Sequence, residues 1–245
     1  MDLEGLNAIV TGASRGIGRV IARTYARHGA HVTVCARHED GLKDLCREST
    51  EYPGRIQYIT ADITNPEDRE NLFSKAMSNE IKLDVLVNNA GILGPRATIK
   101  NFPDSLWDQV IDVNLNAMFH LTKMALNIMT DQQSDGRIIN ITSGVGIRGY
   151  ARWGAYSVSK FGVEGLTQVL AAEMEGTGIE VNAVNPGPIS TDMRAEAFPQ
   201  EDPDSIPSPE DIMDVFLYLA SPDGKGNNGQ RYEAQDFVMP EQSGG

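Results

Sequence analysis

Short, strongly apolar runs alternate along the chain with longer stretches of helical periodicity. AIVTG (8–12), HVTVCA (31–36), RIQYIT (55–60), LDVLVNNAG (83–91, a strand with its exit loop), RIINITS (137–143) and IEVNAVNP (179–186) read as strands. Helical spacing occupies 16–28, a segment near 40–50, 66–78 with Pro66 in its first turn, a long amphipathic stretch over 105–130, and 154–175. The strand runs are continuously apolar, which fits strands covered on both faces. The pattern predicts an α/β fold with a doubly wound parallel sheet of about seven strands and helices on both faces. No linker, repeat or low-complexity segment interrupts it, so one domain over 1–245 is expected. The Pro-rich, acidic stretch FPQEDPDSIPSP (198–209) reads as a mobile loop within that domain.

Composition narrows the function. The chain has 245 residues, enough to bury a sizeable core. Its formal net charge of −13 argues against binding nucleic acid or anionic membranes, which need basic surface. An anionic ligand must therefore be held by local positive charge. Acidity of this kind chiefly confers solubility, and a charged fraction of 22% does not call for a saline habitat. Cys35 and Cys46 are the only cysteines, too few for a disulfide framework, and Cys35 falls in an apolar run. The first residues, MDLEGLNAIV, lack a charged signal-peptide start, and no apolar run approaches 18 residues. A reducing, cytoplasmic setting is expected, with no metal.

The first strand leads into a helix through Thr11-Gly12-Ala13-Ser14-Arg15-Gly16-Ile17-Gly18. Glycines let the backbone approach a pyrophosphate, and the helix N-terminus offers unpaired N–H groups and a positive dipole end. The spacing is G-x-x-x-G-x-G, not the G-x-G-x-x-G of the usual Rossmann fingerprint, yet its strand-to-helix position points to the same Rossmann-type use. The second strand ends at Ala36-Arg37, where a carboxylate would bind a ribose 2′-hydroxyl. Arg37, with Arg15 nearby and no carboxylate, favours NADP(H), with NAD(H) possible.

Tyr156 and Lys160 stand four residues apart on a helix and so share a face. A phenol titrates near ~10, and an adjacent ammonium lowers that value. Tyr156 then serves as general acid or base toward a carbonyl or alcohol. Ser143 ends the preceding strand, where ligands sit in parallel sheets.

These motifs, with Asn88-Asn89-Ala90-Gly91, Asn114 and Pro186-Gly187, fall in the order and spacing of the short-chain dehydrogenase/reductase family, which the chain resembles over roughly residues 5–193. The resemblance implies the following. Gly12, Gly16 and Gly18, with Ser14 and Ile17 between them, lie under the cofactor pyrophosphate. Arg15 and Arg37 match basic positions of NADP-preferring members. Asp62 and the adjoining Ile63 lie near the adenine. Asn88, Ala90 and Gly91 line the adenine ribose and steady the sheet. Pro186, Gly187, Ile189 and Thr191 flank the nicotinamide. Ser143 orients the substrate, Tyr156 exchanges the proton, Lys160 bonds the nicotinamide ribose, and Asn114 holds a water in the proton relay. The implied activity is NADP(H)-dependent hydride transfer between the nicotinamide and a carbonyl or hydroxyl substrate.

The turn SRGIG and the segment PGPISTDM are similar to those of 3-oxoacyl-carrier-protein reductases, so a 3-oxoacyl thioester is the alternative substrate. Against it, Met129-Thr130-Asp131-Gln132-Gln133 and Glu175-Gly176-Thr177-Gly178 lack the Lys and Arg with which those enzymes dock an acidic carrier. The C-terminal tail also departs from the family's V-D-G-G strand. Tyr150, Arg152, Trp153, Ile92, Leu93 and Met193 are candidate pocket residues, with a short substrate loop near 188–209. Val158, Phe161, Gly162, Gly165, Val169 and Ala172 form a small, apolar stripe away from Tyr156. The family pairs this helix and the 105–130 helix across a two-fold axis, so a homodimer or homotetramer is expected. A catalytically idle dinucleotide sensor would be expected to lack one of Ser143, Tyr156, Lys160 or Asn114. A sugar-nucleotide epimerase would carry G-x-x-G-x-x-G and a larger C-terminal region.

Overall fold

The computed structural model describes residues 1–78 and 82–240. Seven strands form one sheet: β1 (Asn7–Thr11), β2 (His31–Ala36), β3 (Arg55–Thr60), β4 (Val85–Asn88), β5 (Gly136–Ile141), β6 (Ile179–Asn185) and β7 (Arg231–Glu233). Their order is β3-β2-β1-β4-β5-β6-β7, and every neighbouring pair is parallel. The chain works outward from β1 to β3, then crosses back to lay β4 on the other side of β1. That reversal makes the β1/β4 boundary a switch point, where the loops leaving the strand ends diverge and open a crevice.

Side chains alternate across the pleat, so each strand feeds two cores. Val10 and Val34 face one core, with Val20, Ile21 and Tyr25 of α1 (Gly16–Arg27), Leu42 and Leu45 of α2 (Asp40–Glu48), and Phe216 of α8 (Met213–Ala220). Ile9 and Cys35 face the other. That core holds Leu72 and Phe73 of α3 (Pro66–Ala76), Leu121 and Met129 of α5 (Ala117–Asp131), and Leu170 of α6 (Gly154–Glu173). Both faces are thus sealed, as continuous apolar strands require. Asn65 caps α3 by accepting from Glu67 N at 2.8 Å, and Pro66 takes the first helical position, where no N–H is needed.

The expected 105–130 helix is interrupted. It runs as α4 (Asp104–Ile111), a wide π turn over Asp112–Asn116, and α5. Such turns arise where an extra residue is accommodated, and they gather at functional sites. Two further helices, α7 (Asp192–Ala197) and α8, and the strand β7 lie in segments for which the sequence pattern predicts no element. The 198–209 stretch carries specific ties: Arg194 pairs with Glu201, and Ser190 N donates to Pro207 O at 2.9 Å. Among the described residues no helix is long and apolar enough to cross a membrane.

Candidate active site

The glycine turn is fixed to the end of β4. Thr11 Oγ1 accepts from Asn89 N and Ala90 N, both at 3.1 Å, and Asn89 Nδ2 donates to Thr11 O at 2.8 Å and Gly12 O at 3.1 Å. The approach is so close that a Cβ on Gly12 (φ +67°) would lie 2.8 Å from Ala90 Cα, and one on Gly18 2.2 Å from Asn89 Nδ2. Both glycines therefore serve chain-on-chain packing. Asn89 carries this lock through its side chain. Arg15, the N-cap of α1, is extended and makes no side-chain cap, and no acidic residue occupies the first turn. The helix start is left open to an anion.

A cleft of about 840 Å³ follows the strand ends at the switch point, a size typical of ligand sites. Ala36, Arg37, Asp62 and Ile63 line one end. Gly12, Ser14, Arg15, Gly16, Ile17, Ala90 and Gly91 line the middle. Tyr156, Lys160, Pro186, Thr191 and Met193 line the other. With strands ~4.8 Å apart, β2 and β5 end roughly 14 Å from each other, so the cleft is elongated. At Asp62 burial pushes the carboxyl up, but the Thr64 N–H and hydroxyl, with Arg37 nearby, outweigh it and hold the value below the usual range. Arg15 is paired with Asp192 at 2.9 Å across the cleft mouth, both groups exposed. An exposed pair of this kind is worth little, ~1 kcal/mol or less, so another anion can displace it.

At the far end, α6 brings Tyr156 beside Ser143, and hydrogen bonding from Ser143 acts to lower the phenol's pKa. Burial is the larger influence and leaves Tyr156 above its ordinary value. Lys160 Nζ donates to Ile141 O at 2.7 Å and lies 5.7 Å from the Tyr156 ring centroid. Burial pulls Lys160 down to about 8, against the charge of Glu164. This corrects the expectation that the ammonium depresses the phenol: desolvation dominates both groups and drives each toward its neutral form. Glu164 itself is buried, accepting from Thr142 Oγ1 at 2.6 Å and Arg231 Nε at 2.9 Å. The i, i+4 spacing from Lys160 was its only sequence signal.

Asn114 sits inside the π turn and is 2% exposed. Its carboxamide clamps the backbone of Ile92, accepting from Ile92 N at 2.8 Å and donating to Ile92 O at 2.9 Å. It also donates to Ser159 Oγ at 3.1 Å.

Several expected positions turn away from the cleft. Asn88 points into the interior and donates to Thr122 Oγ1 and Asn140 Oδ1, both at 2.9 Å, so its side chain does not reach a ribose. Ile189 is buried in the core around α8. Gly187 (φ +73°) packs under Gln235, whose Nε2 donates to Pro186 O at 3.1 Å and Pro188 O at 2.8 Å. Tyr150 is half exposed beneath Arg148, outside the cleft lining. Arg152 is exposed in a left-handed conformation (φ +71°), and Leu93 is buried. Ile92 and Met193 do line the cleft, and the Trp153 ring lies 5.9 Å from that of Tyr156.

The family model described as short chain dehydrogenase matches residues 6–202. The uncharacterized oxidoreductase YciK of Escherichia coli (strain K12) is 39% identical, over 95% of this chain and 92% of its own length. The 3-oxoacyl-[acyl-carrier-protein] reductase FabG of Thermotoga maritima is 35% identical, over 94% of this chain and 96% of its own. A protein of Escherichia coli CFT073, described as a short chain dehydrogenase and complexed with NADPH, superposes with a TM-score of 0.89 at 38% identity, covering 96% of this chain and 100% of that one. Shared motifs, shared fold and this breadth of match agree: the chain belongs to the short-chain dehydrogenase family and is one of its oxidoreductases.

Proposed function

We propose that this protein is an NADP(H)-dependent oxidoreductase that interconverts a small carbonyl compound and its alcohol. The observation that supports the reading is that Tyr156 and Lys160 line one end of an elongated cleft, with Ser143 hydrogen-bonded to Tyr156, while Arg37 and no carboxylate stand at the close of β2 at the other end. The residues present fit a dinucleotide. The α1 start is uncapped, the glycine turn lines the middle of the cleft, and Arg37 in the lining offers a cation to a 2′-phosphate. When bound there, NADPH supplies the hydride.

The chain's own groups do the rest. Ser143 and Tyr156 hydroxyls hold the substrate oxygen. Burial keeps the phenol protonated at neutral pH, so Tyr156 is poised as an acid and donates its proton to that oxygen. Lys160, its Nζ bonded to Ile141 O and 5.7 Å from the Tyr156 ring centroid, is assigned to the nicotinamide ribose. Pro186, Thr191 and Met193 complete the lining of the site together with Ala90 and Gly91.

The relatives named as 3-oxoacyl carrier-protein reductases raise the thioester as a substrate, but residues 129–133 and 175–178 offer no Lys or Arg to an acidic carrier. A free small molecule suits this surface better. In this reading the enzyme works in the cytoplasm, in keeping with the free thiols of Cys35 and Cys46, and assembles as a dimer or tetramer. Tyr156→Phe is the direct test. Carbonyl-dependent NADPH oxidation should fall by at least roughly a hundredfold while NADPH titration stays unchanged. Near-normal turnover would overturn the reading.

A further inference from the structure

Arg96, in the loop that leaves β4, has no carboxylate partner among the described residues. Its guanidinium instead sits against two rings, 4.8 Å from the centroid of Trp153 and 5.0 Å from that of Phe198. It also donates to Ala197 O at 2.8 Å. Phe198 is contacted in turn by Arg194, at 3.8 Å, and Glu201 holds Arg194 through two bonds of 2.5 and 2.6 Å. Trp153 leans on the Tyr156 ring at 5.9 Å and on Phe198 at 6.0 Å. One stack therefore joins three separate parts of the chain: the β4 exit loop, the start of α6 with its tyrosine, and residues 194–201.

A planar guanidinium suits this place because it can lie over ring faces and still aim an N–H at a carbonyl. Residues 194–201 continue directly from Thr191 and Met193, which line the catalytic end of the cleft. Whatever holds Phe198 against Trp153 therefore holds that wall. The other visible tie of α7 across the cleft mouth, Arg15–Asp192, pairs two exposed groups and is weak; Arg96 is exposed too, but it meets two ring faces and a backbone carbonyl at once.

We propose that Arg96 is a positioning residue, a latch that fastens α7 and Phe198 over Trp153 and so sets the substrate wall beside Tyr156. The effect on turnover rests on the oxidoreductase reading; the latch itself does not. Opening the wall for substrate entry or product release requires Phe198 to slide off the guanidinium. Closing it restores both ring contacts and the Ala197 bond together.

Hydrogen exchange on the full chain tests this without any substrate. The reporters are the amides of Ala195, Phe198 and Glu201, bonded to Thr191 O, Arg194 O and Phe198 O. In Arg96→Ala and in Phe198→Ala these should exchange roughly tenfold faster, as a local opening does, while β5 exchanges as in the parent. Arg96→Lys keeps the charge without the plane and should behave like Arg96→Ala. Unchanged exchange over 194–202 in Arg96→Ala and Phe198→Ala would overturn the latch, and so would equal acceleration in β5, since that marks general loosening. Turnover gives the second reading: the carbonyl substrate's KM should rise roughly tenfold with kcat held within about twofold. A fall in kcat at unchanged KM would overturn a wall-setting role. If the parent reduces no carbonyl compound, the oxidoreductase reading fails and exchange still decides the latch.

Discussion

Lys160 is the residue whose environment has the plainest consequence for pH. Its folded value of about 8 lies below its ordinary 10.5. Between those two values the unfolded chain holds a proton that the folded chain has released. Lys160 therefore weighs fully against folding below about pH 8, and the penalty lifts as pH rises through the window to 10.5. Lys160→Met removes this dependence. In urea unfolding the parent should gain stability relative to Lys160→Met between pH 8 and 10.5, and a gap that stays constant with pH would contradict the buried ammonium. At the other end of the cleft, Arg37→Glu puts a carboxylate at the close of β2. NADPH affinity should drop roughly 10–100-fold, the worth of about 1.5–3 kcal/mol for a hydrogen bond to a charged group, while NADH affinity holds or rises. Fluorescence titration with both cofactors reads the change.

Among the elements, the α4–α5 junction shows a residue expected at the site tied into the structure. Asn114 spends both ends of its carboxamide on Ile92, 22 residues upstream. Asn114→Ala should cost about 1–3 kcal/mol in urea unfolding, since two part-buried backbone groups lose a hydrogen bond worth about 0.5–1.5 kcal/mol each. A loss below half of that would mean the loop re-pairs elsewhere. This junction also marks where the sequence stops being legible. β1, the glycine turn and α1 are readable because apolar period and glycine spacing are local signals. So is the pairing of Tyr156 with Lys160, one helical turn apart. The partners that hold these groups are remote: Ile92 for Asn114, Arg231 for Glu164 across 67 residues, Gln235 for the 186–188 loop. No window of sequence displays such pairs. α8 escapes for a different reason. Its eight residues MDVFLYLA are apolar nearly all round, so they carry no period. The phenol's raised pKa was illegible too, because burial is a property of the folded whole.

At the scale of the molecule, an acidic surface frames a few apolar exposures. Phe161 (45% exposed) and Val169 (54%) stand on the outer face of α6, with Phe119 (43%) on α5. Gly165 leaves open space, whereas Gly162, expected on the same stripe, packs against Leu115 of its own chain. Exposed large side chains grouped on adjoining helices suit a self-complementary interface. Phe161→Asp combined with Val169→Asp should shift the protein to monomers in sedimentation velocity at micromolar concentration. An unchanged sedimentation coefficient would place the interface elsewhere or show that none exists.

The brace from Gln235 onto the carbonyls of Pro186 and Pro188 carries a consequence in time. A ribosome must add 47 residues after Pro188 before Gln235 exists to hold that loop. At roughly 5–20 residues per second, the delay is roughly 2–9 seconds. Throughout that interval the glycine turn, the tyrosine and the lysine are already synthesised, yet the carbonyls of Pro186 and Pro188 lack this brace. A nascent chain thus completes the 186–188 loop only after synthesis has passed residue 235.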